Sequence, residues 1–466
     1  MRKSSRKGMG CVHSLYWSIA LDKKRLFPIL LVLITFLSVY YMLDSRKNAD
    51  STYQTYLTAA RTAAEDHILV DAEENYRKAM ELKPSAELVL EVGEMYFSLE
   101  EYQEAAYWYD RQIRDTYPNE ASAYAFGIRT AIAQERYEEA FRIYEEMQNR
   151  RLASEEADSA MQKIWYAFRL CENFQEAGAF SNFSGMAAVK SDDAWGYVGR
   201  DGGWKINNIY TAAGTMGETA PVIGGNGEPY FIDMEGNRKV NASKYEEGDP
   251  SFGKIREFIG EESGRVLASN GQEVAFFDTE SGAKVFGNYL HATLISNGVC
   301  GATKDGDLWA LVDAEGKEIT PYQYQKILTD KKGNPCRNEA VLVEENNMFK
   351  LIGRDGKPVN DILYEDADAF NDDTLAAVLK NGRWIFVDDT GNETDLGNFQ
   401  KARSFSDGLA AVEEGNLWGY IDMQGNVVIE PQFEEADPIS RMGVGFVKTD
   451  NGVWKLLSLY CQNHEE

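Results

Sequence analysis

Residues 405–436 read FSDGLAAVEEGNLWGYIDMQGNVVIEPQFEEA. Two short apolar runs, Leu409-Ala-Ala-Val412 and Trp418-Gly-Tyr-Ile421, stand a few residues apart. Runs of four to six residues with alternating character suit β-strands rather than helices. Asp422 and Gly425 hold the first and fourth places of a type I turn, which Asp and Gly favour there. The string therefore predicts one hairpin, LAAV with WGYI, followed by a second pair, VVIEP with FEEA. Four short strands in about 40 residues is the size of one propeller blade.

The same template recurs upstream. FSGMAAVKSDDAWGYVGRDG (183–202) repeats it closely, with Trp195-Gly196-Tyr197 in the place of Trp418-Gly419-Tyr420. Weaker copies are PYFIDMEG (229–236), VAFFDTESG (274–282), LWALVDAEG (308–316), MFKLIGRDG (348–356) and RWIFVDDTG (383–391). The closing glycines fall at 202, 236, 282, 316, 356, 391 and 425, and VWKLLSLY (453–460) is an eighth copy without the turn. These strings resemble the WG repeat of bacterial proteins. The resemblance and the blade-sized unit together imply a WG-repeat β-propeller-like domain over residues 174–461, with a short tail at 462–466. The string ENFQEAGAF (172–180) is similar to FEEADPI (433–439). Chain ends that each carry part of a blade predict ring closure with seven or eight blades; an open, solenoid-like array is the alternative.

Several residue groups within these repeats invite a chemical role. The acids at Asp233/Glu235, Asp313/Glu315 and Asp388/Asp389 sit in the turns, yet an EF-type calcium loop needs about five oxygen-bearing positions in 12 residues, so turn chemistry is expected. Trp195, Trp309, Trp384, Trp418 and Trp454 recur at a fixed repeat position, which predicts packing between blades rather than sugar-stacking platforms. GGNGEP (224–229) lacks the Lys-Ser/Thr of a phosphate loop and reads as a hairpin loop. Acid pairs such as Asp372-Asp373 and Glu434-Glu435 read as surface charge. There is no G-x-S-x-G string and the chain has only 4 histidines, so no catalytic constellation, metal ligand set or cofactor is expected.

Residues 53–150 carry a second period. Ala72, Ala105 and Ala140 are 33 and 35 residues apart, Tyr76, Tyr109 and Tyr144 follow each at +4, and Pro84 and Pro118 close the first two units. Each local string is an amphipathic helix with an earlier helix before it. Gly93 and Gly127 stand where two helices of a unit would cross closely. These positions resemble the tetratricopeptide repeat, best in the unit with Gly93, Tyr96, Ala105 and Tyr109. The first unit departs from that pattern at Ala59, Ala60 and Ala63, and the third lacks the closing proline. The resemblance implies a short helical solenoid over 53–173, with a capping helix from Ser154 to about Cys171. Such a stack presents a groove to partner proteins or peptides. In that register Leu90, Glu94 and Phe97 face the groove, and Tyr124 and Ile128 do so in the next unit.

Leu26 to Leu43, LFPILLVLITFLSVYYML, carries no charge. As a helix it reaches ~27 Å, close to a hydrocarbon core of ~30 Å. Residues 1–25 hold seven basic residues against one acid, Asp22, so this segment is expected in the cytoplasm, with 26–43 a single transmembrane helix, 44–52 a linker and the body exported. The flanks fit an uncleaved anchor better than a signal peptide. The formal net charge of −27 falls wholly on the part beyond residue 25 and disfavours nucleic-acid partners. Five scattered cysteines predict neither a zinc site nor a disulfide-built fold, and leave open whether Cys300, Cys336 and Cys461 pair. The expected function is a non-catalytic, membrane-anchored scaffold or adaptor that binds envelope proteins; the alternative is a surface protein that binds cell-wall glycan.

Overall fold

The computed structural model describes residues 23–449 and 452–461. The basic segment expected at 1–25, save its last three residues, and the tail at 462–466 lie outside the described residues. The chain divides into two units, one that includes residues 23–136 and 143–158 and is helical, and one of residues 137–142 and from 159 onward that is mostly β.

The helical unit begins with α1 (Lys23–Glu65), followed by α2 (Leu69–Leu82), α3 (Ala86–Ser98), α4 (Tyr102–Trp108), α5 (Ala121–Ala133), α6 (Tyr137–Asn149) and α7 (Glu155–Gln162). α4 runs into one π-helical turn, Tyr109–Ile113. Ser85 caps α3 by accepting from the Leu88 amide at 3.3 Å, and Ser154 caps α7 by accepting from the Ala157 amide at 3.3 Å. The alanines and tyrosines of the 33–35-residue period are interior: Ala72, Ala105 and Ala140 are fully buried, and Tyr76 and Tyr109 nearly so.

Three expectations are corrected here. The linker expected at 44–52 is helical, because α1 continues unbroken from Lys23 to Glu65. The capping helix ends at Gln162, and Phe168–Phe174 is already a strand, so the β domain starts before residue 174. Gly93 does not admit the second helix of its own unit; a Cβ there would lie 2.6 Å from the Phe126 ring of α5. Gly127 on α5 is as tight, 2.5 Å from the Tyr109 ring. As for the expected membrane span, no helix of the described residues is long and apolar enough to cross a membrane. The apolar run lies on α1, whose side chains are described from Leu30 onward.

The β-rich unit is a propeller. Its described residues form eight antiparallel sheets, one per blade, over 176–210, 212–241, 257–289, 291–324, 326–364, 366–394, 401–433 and 435–459, numbered here blades 1 to 8. Blades 4 and 5 lack a regular outer strand; isolated bridges, Trp309 to Tyr324 and Phe349 to Tyr364, stand in for it. Blade 8 is completed from the other end of the domain. Phe168–Phe174 pairs antiparallel with Val453–Leu459, setting Phe168 opposite Leu459 and Phe174 opposite Trp454. Arg200 of blade 1 reinforces the seam by donating to the Leu459 carbonyl at 2.7 Å. The ring is therefore closed, as the similar chain ends predict, and the count is eight.

The expected second pairing within each repeat does not form. Val427–Phe433 pairs instead with Leu417–Asp422 as the outer strand of blade 7, while Glu435–Ala436 opens blade 8. Only Glu434 separates the two segments, too little to turn back a hairpin, so the chain steps across to the next blade.

The Trp-Gly-Tyr string has a distinct task at each position. Trp418 and Trp384 are about nine-tenths buried and lie in apolar clusters shared by neighbouring blades. Gly196 and Gly419 sit beneath the outer strand, where a Cβ would meet Asn208 N at 2.6 Å and Ile429 O at 2.4 Å. The outer strand bulges over both positions. Tyr197 and Tyr420 are fully buried, and each hydroxyl donates to a carbonyl of the next blade, Gly214 at 2.9 Å and Asp437 at 2.7 Å. These hydroxyls thread a polar tie through an otherwise apolar blade interface.

The Asp-x-x-Gly turns use their acids on the backbone. Asp422 Oδ1 accepts from the Gln424 and Asn426 amides at 2.9 and 2.8 Å, and Asp233, Asp313 and Asp388 do likewise. The fourth residue takes positive φ, 81° at Gly425 and 89° at Gly391, which favours glycine there.

Candidate functional site

On the helical unit, the five groove candidates divide. Leu90, Glu94 and Phe97 are partly exposed on α3. Tyr124 and Ile128 are 2% and 0% exposed, so they offer no surface to a partner, which corrects their expected place in the groove. They fail because α5 is nearly surrounded; six consecutive residues, Ala123 to Ile128, are all buried. The Tyr124 hydroxyl is spent on the Pro118 carbonyl at 3.1 Å. The residue that sequence patterning missed is Arg129. Its guanidinium lies 4.9 Å from the Phe97 ring centroid, pairs with Glu94, and reaches Glu156 at 2.8 Å. Glu94 and Phe97 thus share one stacked cation, and Leu90 is left as the free apolar position of the three.

On the propeller, chemistry gathers near the axis. The segment between the first two strands of a blade is long in blade 5, where it includes Thr329-Asp-Lys-Lys-Gly-Asn-Pro335. This loop reaches several blades at once. Lys331 pairs with the Asp437 carboxylate of blade 8 and lies 5.3 Å from the Trp454 ring centroid. Lys332 pairs with Asp372 of blade 6 at 3.1 Å. Asp372 in turn accepts from Asn182 of blade 1 at 2.8 Å. The Gly333 carbonyl accepts from the Leu294 amide of blade 4 at 3.0 Å. The loop's own shape is set by Asp330, whose carboxylate accepts from the Lys332 and Asn334 amides at 2.9 and 2.8 Å. Burial pushes the Asp330 carboxyl above the usual carboxylate range.

The loop is thus a strut across the ring. Beneath it lies a chamber of about 40 Å³ lined in part by Phe180, Asp437, Ser440 and Phe446. The Ser440 hydroxyl is buried without a protein partner, and the volume suits a few waters. Replacing Lys331 by methionine is expected to lower stability by about 1–3 kcal/mol, because the buried Asp437 carboxylate loses its cation while lysine's partial exposure screens the pair. Thermal melts check this, and adding Asp437→Asn to Lys331→Met should recover part of the loss.

Beside the strut, on blades 3 to 6, opens a polar cleft of about 240 Å³. Glu262, Asn297, Asp330, Asn334, Arg337 and Asn371 contribute to its lining. Cys336 also lines it, and burial pushes that thiol up to about 11. Cys300 is pushed up to about 12 by burial, and Cys171, Cys300 and Cys336 are free thiols. Among the described residues no group of three or more His, Cys, Asp or Glu is placed to hold a metal ion. Nothing in the sequence singled out Arg337 or the strut, since they lie outside the recurring strings, in a longer stretch between Gly316 and Gly356.

Residues 351–384, 386–418 and 418–454 match the family described as WG containing repeat. No curated protein matches the chain significantly. Among solved structures, the chain is similar to the computationally designed Ika8 protein at 11% identity and a TM-score of 0.41, covering 62% of this chain and 98% of that one. It is also similar to BamB from Moraxella catarrhalis, at 11% identity and a TM-score of 0.35, covering 63% of this chain and 94% of that one. PorZ, a bacterial surface component of the type-IX secretion system of Porphyromonas gingivalis, matches at 10% identity and a TM-score of 0.34, covering 62% of this chain and 46% of PorZ.

Proposed function

We propose that this WG-repeat propeller protein is a membrane-anchored, extracytoplasmic scaffold, and that it holds envelope proteins through its tetratricopeptide-like helices and its propeller without catalysing a reaction. The observation that carries the anchored part is α1. From Leu30 to Leu43 every described side chain is exposed, with Phe36 78% and Tyr41 77% accessible. A continuous apolar surface of that kind is costly in water and stable in lipid. The basic residues before it favour a cytoplasmic N-terminus. Both bodies are built from repeats that spend their distinctive residues on internal packing, which leaves faces and loops for partners.

The test is affinity capture from detergent-solubilised envelopes with the full chain as bait. One or two proteins enriched near stoichiometry are expected. A Leu90→Glu, Phe97→Glu variant with an unchanged melting profile should lose a partner held by the helices; if Phe97→Glu disturbs the Arg129 stack, Leu90→Glu alone serves. Undiminished capture by the folded variant would remove the helical face from the proposal. Binding of cell-wall glycan is the second reading, and the polar cleft beside the strut favours it.

A further inference from the structure

An open pocket of about 350 Å³ lies where blade 1 meets blade 8, and the seam itself supplies its charges. Arg169 comes from the strand that completes blade 8, opposite Ser458. Arg200 comes from the turn before the outer strand of blade 1, and Lys205 from that strand. Arg169 and Arg200 are partly exposed and Lys205 is exposed, so all three are open to solvent. Arg200 spends Nη2 on the Leu459 and Cys461 carbonyls, at 2.7 and 3.1 Å. Those bonds fix the guanidinium and leave Nε and Nη1 without a partner among the described residues. The Arg169 guanidinium lies beside the Cys171 thiol. Among the described residues no carboxylate lies within ion-pair distance of either arginine. Burial, and then the charge of Arg169, hold Arg200 below the usual guanidinium value. Two guanidiniums set together with no acid between them repel each other until an anion joins them, and this chain carries 75 acids from which one could have been supplied.

Charge and shape narrow what that anion is. The acids in the lining do not fill the role. Asp201 faces Lys205 at 3.6 Å and accepts from the Gly203 amide at 3.1 Å. Glu138, exposed on α6, pairs with no cation among the described residues. A cation is repelled by the two guanidiniums, and a neutral ligand leaves their mutual repulsion in place. A planar carboxylate matches one guanidinium fork, whereas a tetrahedral phosphate has oxygens for two forks and an ammonium together. The pocket also has room for an organic substituent on the phosphate. We infer that this pocket binds a phosphate group, free or as a monoester, held between Arg169 and Arg200 with Lys205 as a third donor. The bound group bridges blade 1 and the strand that completes blade 8. Neither the scaffold reading nor the glycan reading is needed for it.

Isothermal titration calorimetry on the full chain in detergent, with inorganic phosphate and glycerol 3-phosphate as probes at constant ionic strength, tests the site. Binding of both is expected. Equal affinity makes the ligand the anion itself, and tighter binding of the ester makes it a small phosphorylated molecule; either result supports the pocket. Arg169→Gln should weaken binding at least tenfold, the loss of a hydrogen bond between charged groups. Should that variant melt early, Lys205→Gln, at an exposed side chain, should still weaken binding severalfold. Glu138→Gln should tighten binding severalfold, because it removes a carboxylate that repels the guest; a purely structural role for the two arginines predicts no such gain. Absence of binding by both probes overturns the inference, as does equal binding by wild type and the folded Arg169→Gln and Lys205→Gln variants. Displacement of phosphate by acetate at lower concentration would assign the pocket to carboxylates and overturn it too.

Discussion

Replacing Phe174 by alanine is expected to destabilise the propeller by about 3–5 kcal/mol, the usual cost of removing a buried aromatic ring. Phe174 is 3% exposed and ends the strand that completes blade 8. Its ring stands 6.1 Å from that of Phe446 and 6.3 Å from that of Trp204, both edge-on, in a cluster with Phe180 and Leu456. The cluster joins the first and last blades, so the cavity opens at the seam of the ring. Thermal unfolding followed by near-ultraviolet circular dichroism measures the effect. Phe183→Ala, at a ring that is 65% exposed a few residues on, is the control and should leave the midpoint in place. Equal shifts for the two variants would mean that the seam contributes nothing special to the domain.

Gly419→Val is expected to cost more than about 4 kcal/mol, which places it in the tail of single-substitution effects. The glycine is required by space rather than by its dihedral angles, since Gly419 is absent from the positive-φ residues. A Cβ would stand 2.4 Å from the Ile429 carbonyl oxygen and 2.7 Å from Pro431 N, both backbone atoms of the overlying strand. Neither can swing aside as a side chain would. The outer strand would have to lift, which also pulls Phe433 from its buried place opposite Trp418. Low yield of soluble protein, or a midpoint lowered by well over ten degrees relative to Gly415→Val in the exposed hairpin turn, would agree. Gly415 has open space around it but φ of 62°, so its substitution strains only the turn. A mild effect at Gly419 would show that the outer strand is free to move.

These two positions mark what was legible in the sequence. The Trp-Gly-Tyr string recurs in blades 1 and 7 because each member meets the same constraint in both, so the repeat reveals the blades, and the similar chain ends reveal their closure. Alternation shows that Val427–Phe433 is a strand and not which neighbour it joins, so its pairing with Leu417–Asp422 is not written in the repeat. The burial of Tyr124 and Ile128 was invisible for a related reason. A helical register fixes which residues share a face, but the number of neighbours around α5 decides whether that face meets solvent. Arg337 and the strut lie where the repeat pattern lapses, and a departure from a pattern does not state its purpose. Arg129 belongs to no repeat position at all; only the fold brings Glu94, Phe97 and Glu156 around it.

The pairing of Phe168 with Leu459 also sets an order of events during synthesis. The first strand of the domain leaves the ribosome early and cannot find its partner until nearly the whole propeller has followed. Until then blade 8 does not exist, blade 1 has no neighbour on one side, and the apolar faces that will form the seam are open. Contacts so distant along the chain make for slow folding and for exposure to aggregation while it proceeds. A chain interrupted before its last strand would be left with an early segment that has nothing to pair with, rather than a smaller propeller. Completion of the ring is a single late event, and quality control acting on this protein would have one structural question to ask of it.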